Sequence, residues 1–281
     1  MLATHIRDTL TISPFATSLT VSKMPGNFFS ITLSDLFEAK AIYNFIQWKF
    51  PNKEIVVLTE AECKSCTDVS EQFIELWSKN KKNKPTQKYF ISQQVTSLSL
   101  TDITKNNNDN QIFLVANNAH NSAVLMARIT ELSHNKSIFI GGDGWGSWED
   151  TEVGKLGNTE NYLAYNVVPW GLEACDNDIR LFQEQYRQLF NTKANNKLTF
   201  IAYQTAMSIV SSYEKYGKNL TGSTKTKLLS GYKKALSKNK YWYKPTDYLA
   251  YKIYNNNHSV YALVNPSTNR LLNYNCLKNE K

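Results

Sequence analysis

The stretch IFIGGDGWGSW, residues 138–148, sets Asp143 among four glycines directly behind a short apolar run. A carboxylate on such a loop can accept from a cationic group, and glycines without Cβ atoms let a ligand approach the backbone or let the chain take unusual dihedrals. Glycine and aspartate are also turn residues, so the segment taken alone reads more often as a tight surface loop. It is not a dinucleotide fingerprint, because Ser147 stands where the third glycine of G-x-G-x-x-G would fall from Gly142. A second chemical group is CKSC, residues 63–66, whose C-x-x-C spacing supports thiol–disulfide exchange when it opens a helix right after a strand. Here Cys63 follows TEAE, and we read the pair as structural or incidental, with an exchange enzyme as the alternative. His5, His120, His134 and His258 have no partner at i+3 or i+4, and the polar stretch from Asp102 lacks the glycine of a calcium loop. No catalytic constellation, metal site or cofactor is expected.

The elements that must hold Asp143 follow from hydrophobic period. Residues 35–50 place Phe37, Ala41, Ile42, Phe45, Ile46 and Phe50 on one helical face, and 70–80 place Phe73, Ile74 and Trp77 inward. Residues 54–60, 88–95, 111–117, 137–143 and 161–170 read as strands, 122–132 as a helix between two of them. Helices are expected at 177–190, 199–217 and 221–236, with Gly217 as a left-handed cap, and a hairpin around the NNN turn near 256. Strands alternating with helices define a layered α/β fold with parallel strands. In such sheets ligands bind beyond the carboxyl ends of strands, where Asn117, Asn118 and Asp143 fall.

The 281 residues, 42% of them hydrophobic, suffice for two compact domains. The longest apolar runs, 55–58 and 112–116, are far shorter than the ~20 residues that cross a bilayer, so no direct membrane insertion is expected. The net charge of +8 gathers as lysines in 79–84 and 225–240, without the arginines and interleaved aromatics of a nucleic-acid reader, and we read these clusters as solvated helix faces. Four cysteines are too few for a disulfide-built scaffold.

TISPFATS (11–18), NFFSITLSD (27–35), the 112–132 segment, IFIGGDGW and FIAYQTAMSIVSSYEK (200–215) occur in an order and spacing that resembles the type I periplasmic solute-binding proteins of the leucine/isoleucine/valine group. The resemblance spans nearly the whole chain, and SPxATS with GGDGW are its most specific parts. It implies two α/β lobes with parallel sheets flanked by helices, a hinge of crossover strands, and a small amino acid or related solute held in the cleft without catalysis. The partners it implies are that small-molecule ligand and an ABC transporter permease. By position Phe15, Ala16 and Thr17 serve the ligand's α-carboxylate and α-ammonium, Asp143 receives the α-ammonium, and Asn118 or Ala119 replaces a tyrosine contact. Ser65 and Cys66 stand where the family has an aromatic followed by glycine, which makes the expected pocket more polar than one for leucine.

The expected lobes are 1–30 with 167–257 and 31–166 with 258–281. The family carries a signal peptide and three strands of lobe 1 ahead of the SPxATS turn. This chain begins just before that turn and shows no signal peptide, so lobe 1 is expected to be N-terminally truncated, to hold a single strand and to expose apolar surface, while a full-length member is periplasmic. A ligand-free interaction module that binds another chain through that surface stands as a further alternative.

Overall fold

The computed structural model describes residues 11–13, 16–18, 20, 28–30, 34–80, 84–97, 99, 111–133, 136–145, 162–169, 177–194, 197–216, 251–255, 260–265 and 270–272. The expected helix at 221–236 and the cap at Gly217 lie outside them. Contacts divide the chain into two units, the first comprising 1–34, 170–249 and 275–281 and the second 35–169 and 250–274.

The second unit is built on an eight-stranded sheet. Its strands are β3 (Glu54–Glu60), β4 (Thr86–Phe90), β5 (Gln111–Ala116), β6 (Ser137–Gly141), β7 (Tyr162–Pro169), β8 (Tyr251–Asn255), β9 (Val260–Asn265) and β10 (Arg270–Leu272), and they run in the order β10-β9-β8-β7-β6-β5-β3-β4. β4, β3, β5, β6 and β7 are parallel, while β8, β9 and β10 complete the sheet antiparallel. The expected hairpin is the β8/β9 pair, with a register irregularity between Ile253 and Tyr254. Helices α1 (Asp35–Lys49), α2 (Lys64–Asn80) and α3 (Ala119–Leu132) link the parallel strands.

Parallel strands buried on both faces need apolar residues at every position, which the IVVL and IFLV runs supply. Val56, Phe113, Phe139 and Ala164 line up across four strands and bury against Leu125, Met126 and Ile129 of α3. The alternate residues Ile55, Val57, Ile112 and Leu114 are buried on the opposite side of the pleat. There Phe45 of α1 meets Tyr165 of β7 with ring centroids 5.1 Å apart, and Tyr43 of α1 meets Trp77 of α2 edge-on at 6.1 Å.

Two elements depart from the sequence reading. The strand expected at 88–95 stops at Phe90, because Ser92 turns to donate its hydroxyl to Glu60 and the Gln94 side chain accepts the Ile91 N–H. Helix α2 starts at Lys64, six residues before the expected Ser70, because the Cys63 carbonyl already accepts the Thr67 N–H at 3.0 Å. The first unit contains β1 (Thr11–Ser13) and β2 (Phe28–Ser30), a parallel pair where a single strand is expected, with α4 (Asn177–Phe190) and α5 (Lys197–Tyr216).

Candidate functional site

The parallel strand order reverses between β3 and β5, since β3 hands the chain to β4 on one side while β5 pairs with β3 on the other. Open α/β sheets bind ligands outside the carboxyl ends of strands at such a point. A cavity of about 20 Å³ lies there, lined by Glu38 and Ile42 of α1, Ser65, Cys66 and Val69 of α2, the end of β5, and Gly142, Asp143 and Gly144 behind β6.

The GGDGW loop is fixed by its own side chains. A Cβ on Gly141 would lie 1.9 Å from the Trp145 ring, and one on Gly142 only 1.7 Å from the Glu38 carboxylate oxygen. Trp145 is fully buried and donates its indole N–H to the Val115 carbonyl at 3.1 Å. None of Gly141, Gly142 and Gly144 occupies the left-handed region. At these positions the missing Cβ atoms serve internal packing, rather than the unusual dihedrals expected from the sequence. Asp143 opens a single turn, and its own N–H donates to Oε1 of Glu38 at 2.8 Å.

Glu38 was not singled out by sequence reasoning. It is buried to 5% exposure on α1, and burial, the Asp143 charge and then the Asp35 charge hold its carboxyl well above the usual carboxylate range. The Asp143 backbone hydrogen bond works in the opposite direction. The signal that reveals it in sequence is an acid inside an apolar stripe, since Glu38, Ile42 and Phe45 stand at i, i+4 and i+7.

The neighbouring asparagines divide their work. Asn118 caps α3 by accepting the Asn121 N–H at 3.0 Å, and its amide donates to Glu60 at 3.1 Å. Asn121 also donates to Glu60, at 2.9 Å, so the buried Glu60 carboxylate is satisfied by amide and hydroxyl donors. Asn118 therefore sits in the network that ties α3 to β3, and the residue on the cavity wall is Asn117. Asn117 Oδ1 accepts the Glu60 N–H at 2.9 Å, while its Nδ2 is buried without a partner.

Ser65 and Cys66 line this cavity. Cys63 and Cys66 are joined as a disulfide with Cα atoms 5.2 Å apart. Contrary to the sequence reading, CKSC does open a helix just after a strand, with Cys63 Sγ accepting the Cys66 N–H at 3.2 Å. Ala16 and Thr17 are half-buried residues of the first unit behind β1, and Phe15 lies outside the described residues. Among the described residues no cluster of metal-ligating side chains occurs.

The fold is that of the type I periplasmic binding proteins. The leucine binding protein LivK of Thermotoga maritima superposes with a TM-score of 0.65 at 16% identity, over 92% of this chain and 73% of that one. The branched-chain amino acid transporter substrate binding protein LivJ of Streptococcus pneumoniae, in complex with isoleucine, gives 0.61 at 16% identity, over 90% and 71%. A solute binding protein of an ABC transporter from R. palustris, in complex with benzoate, gives 0.60 at 11% identity, over 87% and 67%. No family model matches the sequence, and no curated protein matches it.

Proposed function

We propose that this chain is the substrate-binding component of an ABC-type transport system, that it works in the periplasm, and that it holds a small amino acid or related solute without catalysis before delivering it to a permease. The observation that supports this most is the cavity at the strand-order reversal, with Asp143 on its wall, in a fold whose solved examples carry isoleucine and benzoate. Asp143 takes the ligand ammonium in this reading, and Phe15, Ala16 and Thr17 serve its charged end groups. Ser65 and Asp143 share the wall with Ile42, Val69, Leu114 and Ala116, and the small size of the cavity favours a small ligand.

Calorimetry against the twenty amino acids tests the reading. Removing one partner of a desolvated charged pair costs ~2–5 kcal/mol, so Asp143→Asn weakens binding by tens to thousands of fold. Thr17→Val weakens it less, because an unsatisfied neutral partner costs ~1–3 kcal/mol. Unchanged affinity in Asp143→Asn refutes the ammonium role. The interaction-module alternative is favoured by exposed Leu189 and Phe190 on α4 and Ile209, Val210 and Tyr213 on α5, and absence of heat with every amino acid would select it.

A further inference from the structure

Glu38 and Asp143 present two carboxylates to one small cavity whose described lining contains no lysine, arginine or histidine. The arrangement is built rather than incidental. Glu38 occupies the space that a Cβ on Gly142 would fill, and it accepts the Asp143 N–H. The cavity of about 20 Å³ has room for one group the size of a water or an ammonium.

We propose that Glu38 is a second acid of this site, which carries a proton while the site is empty and releases it when a small primary ammonium binds beside Asp143. The inference rests on the binding reading above and adds its proton linkage. In the empty site, burial and the charges of Asp143 and Asp35 favour the neutral form of Glu38. Lys64 at the start of α2 pairs with Asp68 and also feels the charges of Glu71 and Asp35. An entering cation offsets the Asp143 charge and attracts a second negative one, so the Glu38 proton passes to solvent and the carboxylate remains. Only a proton moves, and no covalent bond to the ligand forms. Affinity consequently rises with pH between the value Glu38 has in the occupied site and its higher value in the empty site. Exchange of one proton limits the rise to about tenfold per pH unit.

The experiment is calorimetry on the full chain with the twenty amino acids, ethanolamine and methylammonium, between about pH 5 and pH 8, in buffers of different ionisation heat. Wild type is expected to release up to one proton per ligand bound, and Glu38→Gln to bind with no proton release and an affinity flat in pH. Infrared spectroscopy of the wild type supplies a readout that survives a misfolded variant, because the protonated-carboxyl band should be present in the empty protein and fade on saturation. Binding without proton release, or an unchanged band, overturns the role of Glu38 and leaves the binding-protein reading standing. Absence of binding by every amine overturns both.

Discussion

Glu38 accepts the Asp143 N–H and is itself an acid whose proton affinity changes on folding. The folded protein holds the Glu38 carboxyl above its unfolded value, so between those values the folded state binds more protons than the unfolded one. The contribution of Glu38 to stability is therefore full below the unfolded value and is lost as pH rises through the folded value. Glu38→Gln keeps the shape and the acceptor for the Asp143 N–H while removing the titration. Urea unfolding of both proteins should show the variant gaining on wild type as pH rises from about 5 to 8, with a slope of at most about 1.4 kcal/mol per pH unit. A stability difference independent of pH would show that Glu38 has the same proton affinity folded and unfolded. Asp143 was legible in the sequence because glycines flank it behind an apolar run. Its partner was not, because the Asp143–Glu38 bond joins residues 105 apart and depends on the absent Cβ of a third residue.

The elements carrying these residues were legible where burial imposes a period. Helix α1 and strands β3, β5, β6 and β7 lie within a residue or two of their expected ranges, since each presents an apolar face or run that must be covered. The start of α2 was hidden because KSCTDV lacks that period, and its first turn is organised by the Cys63 carbonyl and sulfur. The antiparallel return of β8 to β7 was likewise hidden. A strand's alternation says that it pairs and leaves open which neighbour it pairs with. The junction of β6 with the Asp143 turn offers a direct test at this scale. Gly141 ends β6 against the ring of Trp145, which is fully buried and held by its bond to Val115. Gly141→Ala puts a methyl carbon 1.9 Å from that ring, and since the ring has no exposed side to move into, overpacking should cost ~1–3 kcal/mol. Thermal melts of wild type and variant measure this, and a loss below about 0.5 kcal/mol would mean that the loop repacks freely.

The two units differ in what their described residues bury. The second has strands β3, β5 and β6 covered on both faces, with side chains such as Phe45, Phe73, Leu114 and Phe139 fully enclosed. The first has a short parallel strand pair and two helices that leave Leu189 77% and Phe190 62% exposed, with Ile209, Val210 and Tyr213 also open to solvent. Backbone amides exchange through openings whose free energy follows the apolar contact that must be broken, from near zero at frayed segments to the global value in a core. The amides of residues 55–58, 112–115 and 138–140 should therefore exchange together and last. Those of α4 and α5 should exchange on the order of a hundredfold faster, corresponding to an opening about 2.7 kcal/mol cheaper. A dye that reports exposed apolar surface should bind the native chain, and its signal should fall when Phe190→Ser and Val210→Ser are introduced together. Hydrogen exchange followed by mass spectrometry decides the point, because protection of 177–190 and 197–216 equal to that of β3 and β5 would mean that these faces are covered in solution and that the second unit is not the more stable body.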